Sequence, residues 1–211
     1  MHEYITLITL YFTSLFTILN PLGIMPIFMT MTGELSAKER RQTARKSVFI
    51  AFIILLAFTF SGQILFNFFG ISVHSFRIVG GIIFFLVGFD MLQARLGKTK
   101  VTPEEVKSYV TDISVTPLAI PMITGPGAIT NSIVLMQDSD TIIKKVILIG
   151  IITIIFILIY VILASSTKII KVLGETGNKV LMRLMGLIVM VIAVEFFFAG
   201  LKPILQEIFI K

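Results

Sequence analysis

The sequence predicts an all-α membrane protein of six transmembrane helices, arranged as two inverted three-helix repeats with helices one and four broken near the midplane. Composition is the first observation behind this fold class. Of 211 residues, 56% are hydrophobic and 14% charged, with a mean hydropathy of +0.99; a water-soluble domain carries about 45–50% apolar and about 25% charged residues. The second is six runs that reach the roughly 20 apolar residues a helix needs to cross about 30 Å of hydrocarbon. The third is a pair of Pro/Gly clusters, one in each half of the chain, lying inside otherwise apolar runs.

Taken in order, the first span covers Tyr4 to Met31 and holds Asn20, Pro21, Gly23 and Pro26 about halfway along. Met1-His2-Glu3 lacks the basic front of a secretory signal, so this span is expected to stay in the mature protein. The second span is Ser47 to Phe69. The third, Phe76 to Ala94, carries Gly80, Gly81 and Gly88, small residues that permit close helix packing. The fourth, Thr116 to Met136, is interrupted by Pro117, Pro121, Gly125, Pro126 and Gly127. The fifth and sixth run from Ile142 to Ala164 and from Leu181 to Leu205, with Gly186 near the start of the last.

The polar connections are short. The largest, 96–115, reads as a cytoplasmic linker between a first repeat over 1–95 and a second over 116–211. Ser36 with Glu39, and Thr102 with Glu105, have the spacing of a capping box and predict short interfacial helices. Connections one, three and five hold 13 Lys and Arg against 5 on the other side. By the positive-inside rule those connections face the cytoplasm and both termini lie outside, as for a multi-pass protein of the cell inner membrane. The net charge of +6 is therefore a topology signal, and no nucleic-acid partner is expected. No Cys and two separated His exclude thiolate chemistry and disulfides and leave no metal site or cofactor to expect.

An internal repeat accounts for the halves. Arg77-Ile78-Val79-Gly80 recurs as Arg183-Leu184-Met185-Gly186 at an offset of 106, Asp90 and Glu195 differ by 105, and the Asn20–Gly23 cluster lies over Thr124–Gly127 at 104. Three spans per half force the second copy to enter the membrane from the opposite side, the arrangement of many secondary transporters. At each cluster proline removes a donor and glycine permits unwound backbone. Bared peptide groups cannot face lipid, so the two clusters point to a shared site. Helix starts there suit a carboxylate and helix ends suit an ammonium, a pairing that fits a zwitterion. Thr17 and Asn131, close to the two clusters, join the candidate set.

Asn20-Pro21-Leu22-Gly23-Ile24-Met25-Pro26 and Pro117-Leu118-Ala119-Ile120-Pro121-Met122-Ile123-Thr124-Gly125-Pro126-Gly127-Ala128-Ile129-Thr130 resemble the two signature segments of the MarC family. The resemblance extends over essentially the whole chain. It implies a relation to SnatA-type neutral amino acid transporters, which move glycine, alanine and similar substrates with a proton gradient. By that resemblance Asn20, Pro21, Gly23, Thr124, Gly125, Pro126 and Gly127 are the substrate-site segments.

Charge within the spans adds one candidate. A carboxylate near the bilayer centre costs about 2.5–3.5 kcal/mol and normally faces a bundle interior. On that ground Glu195 is the proton-coupling candidate, while Asp90 is expected to reach interfacial water or pair with Arg95. Arg77 and Arg183 read as snorkelling anchors, and His74 as an exposed residue of a short connection. The expected function is proton symport of small neutral amino acids by alternating access. A channel or an exporter for another small metabolite or ion is the alternative. An intramembrane enzyme is not expected, because the spans offer no nucleophile with a positioned base. The oligomeric state is not readable from the sequence.

Overall fold

The structure, a computed structural model, describes residues 2–33, 35–93 and 106–209, with side chains at all of these except 2, 167–175 and 178. Seven helices appear among them: α1 (His2–Leu19), α2 (Pro21–Met31), α3 (Ala37–Phe69), α4 (Val73–Leu92), α5 (Val106–Ile113), α6 (Pro126–Asp138) and α7 (Ile142–Phe209). Five stretches are long and apolar enough to cross a membrane: Glu3–Met31, Ala37–Phe69, Val73–Leu92, Ile142–Ser166 and Lys179–Phe209. The pair Val106–Ile123 and Pro126–Asp138, bent by 57°, makes a sixth if taken as one span.

Local chemistry explains most of the helix limits. Ser36 accepts from the Glu39 N–H at 3.4 Å while Glu39 Oε2 accepts from the Ser36 N–H at 2.8 Å, the reciprocal box the sequence predicts. The helix it starts is not a separate interfacial piece, however. It continues as α3 into the second span, because nothing between Ala37 and Phe69 breaks the helical pattern until Gly70 takes a left-handed φ of 64°. The expected box at Thr102–Glu105 and the Asp90–Arg95 pairing lie outside the described residues.

α3 orders the bundle. Its buried stripe of Ala44, Ala51, Leu55, Thr59, Gly62 and Phe66 recurs at helical spacing. The fourth span lies along it: Thr124 bonds to Ala51, Ile133 fills the space over Gly62, and Gln137 bonds to Gln63, so α6 runs parallel to α3. α1 runs antiparallel to α6, with Ser14 on Asn131 and Tyr11 on Ser139. The first stretch of α7 is antiparallel to α3, its Phe156 ring 5.3 Å from that of Phe52.

The second stretch of α7 packs antiparallel on α4 through small residues. A Cβ on Gly81 would meet the Ala193 carbonyl, one on Gly88 the Gly186 carbonyl, and one on Gly200 the His74 carbonyl. Gly186, Ala193 and Gly200 are seven residues apart, as are His74, Gly81 and Gly88. This is the repeat that keeps one seam facing a partner. His74 therefore sits in the first turn of α4, half-buried, and is not an exposed connecting residue as expected.

Candidate functional site

The first interruption depends on one residue. Asn20 takes φ 42° and ψ 63°, left-handed backbone that asparagine tolerates better than most side chains. Its N–H donates to the Phe16 carbonyl at 3.0 Å, closing α1. Its Oδ1 accepts from the Gly23 N–H at 3.2 Å, opening α2. Pro21 follows at the first helical position, where a missing N–H costs nothing. A Cβ at 23 would displace the Asn20 amide from this cap, which glycine avoids. At the far end of α2, Tyr109 Oη donates to the Met31 carbonyl at 2.9 Å. There the buried Arg40 donates to the Thr32, Gly33 and Leu35 carbonyls at 3.1–3.2 Å, placing a cation at the negative end of the helix dipole.

The second interruption spans more chain. Between α5 and α6, Ser114–Ile123 forms wide helical turns broken by extended backbone at Thr116 and Ile120, each followed by a cis bond to proline. Thr124 is fully buried; its N–H donates to the Ala119 carbonyl at 2.9 Å and its Oγ1 to the Ala51 carbonyl of α3 at 2.8 Å. Gly125 then opens α6 with no side-chain cap, and Pro126 takes the first helical position. A Cβ on Gly125 would strike the Phe84 ring, and one on Gly127 the Phe196 ring. Those two rings lie 6.1 Å apart, tilted by 47°.

Between the interruptions is a cavity of about 40 Å³. Among the described residues Asn20 is its one polar side chain; Gly23, Phe84, Met122, Val189 and Ile192 are among the rest of its wall. The structure thus brings Asn20 and Gly23 to a cavity, with Pro21 buried beside them. It does not open the second cluster onto the same space. Thr124 is committed to α3, Gly125 and Gly127 are covered by Phe84 and Phe196, and Pro126 packs on Gly80. Asn131 bonds instead to Ser14, donating through Nδ2 at 3.0 Å and accepting from the Ser14 hydroxyl at 3.2 Å.

Two expected site residues lie away from the cavity. Thr17 is exposed, because α1 buries Tyr11, Leu15 and Leu19, and a residue two positions from both leucines points the opposite way. Glu195 is also exposed, two positions from the buried Ala193, on an outer face with Phe198, Ala199 and Lys202. It does not look into the bundle, and among the described residues no carboxylate lines the cavity. Asp90 and Arg77 are half-buried and Arg183 is exposed. Among the described residues no group of three or more His, Cys, Asp or Glu is placed to hold a metal.

Of the wall residues, Met122 lies in the second signature segment, while Phe84, Val189 and Ile192 carry no mark in the sequence. An apolar side chain toward a cavity and one toward lipid look alike in composition.

The chain matches the MarC family, described as "MarC family integral membrane protein", over residues 5–205. The UPF0056 membrane protein PH0760 of Pyrococcus horikoshii is 39% identical over 204 residues, covering 96% of this chain and 98% of that protein. The UPF0056 membrane protein of Aquifex aeolicus is 35% identical over 209 residues, 98% of each chain. The UPF0056 membrane protein YvbG of Bacillus subtilis is 40% identical over 195 residues, 90% of this chain and 92% of its own. No solved structure matches the chain. With nearly every residue inside that match, this polypeptide belongs to the MarC family of integral membrane proteins.

Proposed function

We propose that the chain is a secondary transporter of small neutral amino acids such as glycine and alanine, proton-coupled and working by alternating access of two inverted halves. The observation that carries this reading is that α2 and α6 both begin at a proline beside an interruption and run toward opposite ends of α3. The start of α2 opens beside the cavity at Asn20, and a helix N-terminus suits a carboxylate; the start of α6 lies behind the Phe84 and Phe196 rings, so its part in the site requires those rings to move. The apolar cavity wall suits a small uncharged side chain. At about 40 Å³ the cavity admits about three waters, which restricts it to the smallest solutes; alternating access would open it by a shift of the α4–α7 pair against α1 and α2.

The α4–α7 seam supports the inverted repeat. Under the offset of 105 residues, the Gly81–Ala193 contact maps onto Gly88–Gly186, as a two-fold axis through that pair requires. The proton enters this reading from the family resemblance, with Glu195 facing away from the cavity. No ATP-binding loop is present in the sequence.

Purified protein in liposomes tests the assignment. Labelled glycine or alanine should enter saturably under an imposed proton or substrate gradient, and Asn20→Ala should slow entry at least tenfold while the protein remains folded. Absence of amino acid flux under either gradient would overturn the substrate class. Flux that never saturates would favour a channel.

A further inference from the structure

A groove between the start of α3 and the first stretch of α7 has two continuous parts. The upper part, about 650 Å³, is lined by Lys38, Arg41, Gln42, Arg45 and Tyr160. The lower, about 320 Å³, shares Arg45 and Tyr160 and is otherwise walled by Val48, Phe49, Phe52, Thr153, Phe156 and Ile157. Lys38, Arg41 and Arg45 recur at three and four residues, which aligns them on one face of α3. Among the described residues none of the three lies in an ion pair; Glu39 is turned to Ser36 in the capping box. Arg41 Nε donates to Tyr160 Oη at 3.4 Å, fixing the seam between the two helices at the height where charge gives way to hydrocarbon. Phe49, 63% exposed, and Ile157, 57% exposed, leave the apolar part open to the outside of the bundle.

We propose that this groove holds one anionic phospholipid, with its phosphate on Arg41 and Arg45, Lys38 within reach, and an acyl chain along Phe49, Phe52 and Ile157. The charge is complementary, with no ion pair on Arg41 or Arg45 among the described residues, and the order of the parts is that of a lipid. From Arg41 to Phe52 the helix rises about 16 Å, the length of a glycerol phosphate and the first half of a chain. Tyr160 at the joint matches the aromatic belt at a membrane–water interface, and basic pockets between helices are the form that anionic headgroup sites take. A soluble anion would use the upper part alone and leave the apolar part without a role.

The test uses full-length protein in a neutral detergent, with palmitoyl-oleoyl phosphatidylglycerol, the matching phosphatidylcholine and glycerol 3-phosphate as probes. Intact-complex mass spectrometry reads occupancy and thermal unfolding reads stabilisation. Phosphatidylglycerol should bind at one copy and raise the midpoint, with little effect from the other two. Arg41→Gln with Arg45→Gln should weaken phosphatidylglycerol about thirtyfold, and Lys202→Gln, on another face, should leave it unchanged. Equal binding of phosphatidylcholine, or a double variant indistinguishable from wild type, would overturn the proposal. Stabilisation by glycerol 3-phosphate as strong as by the lipid would replace it with a soluble phosphate site. Should the double variant fail to fold, the wild-type lipid series and Arg45→Gln alone decide the matter.

Discussion

Asn20 combines two separable roles, a left-handed turn and a side-chain cap. Alanine at this position loses the cap, worth about 1 kcal/mol, and adopts left-handed backbone at a cost of roughly 1–2 kcal/mol. Glycine accepts the backbone and as a cap loses only a few tenths. Thermal unfolding in detergent should therefore rank Asn20→Ala well below Asn20→Gly. Both should lose transport if the amide also touches substrate, and equal midpoints for the two would show that the turn is not what Asn20 secures. The same facing rule that places Asn20 inside puts Thr17 and Glu195 outside. Thr17→Val and Glu195→Gln should leave uptake and its pH profile within about twofold of wild type, an order-of-magnitude bound for surface positions. The Asn20 turn was legible in the sequence, since asparagine before proline with glycine following is turn chemistry inside an apolar run. The outward direction of Glu195 was not, because a lone carboxylate in a span says only that it needs a polar neighbour or an interface.

At the scale of elements, the α4–α7 seam is held by absent side chains. A Cβ on Gly81 would lie 2.7 Å from the Ala193 carbonyl oxygen and 2.9 Å from the Phe197 nitrogen, and backbone on a packed helix cannot retreat as a side-chain tip can. Gly81→Leu should cost about 1–3 kcal/mol by overpacking. Gly150, also helical, has nothing within 4 Å of its Cβ position. Gly150→Ala should stabilise the protein by about 0.4–1 kcal/mol. Thermal unfolding of the two variants measures the contrast, and a Gly81→Leu protein as stable as wild type would mean that the seam is looser than drawn. The closeness of this packing follows from the seven-residue spacing of small residues, which is visible in the sequence. The choice of α7 as the partner of α4 is not visible there, since glycine seams pair with any helix that offers a matching row.

For the whole molecule, six crossings would put the two ends of the chain on one side of the membrane. With no native Cys, a single Cys at Tyr4 or at Gln206 should label with an impermeant maleimide from the same side, and one at Lys38 from the other; opposite labelling of the two ends would remove one span from the count. Hydropathy set where the chain crosses, because a bilayer demands about 20 apolar residues per helix whatever their partners. Proline and glycine set where helices must yield, because the missing donor and the missing Cβ act locally. Tertiary packing alone decided which faces meet, that Phe84 and Phe196 cover Gly125 and Gly127, and that Glu195 looks outward. The physical reason is the solvent: lipid and protein interior are both apolar, so burial leaves no mark on composition, and direction is assigned only when one helix lies against another.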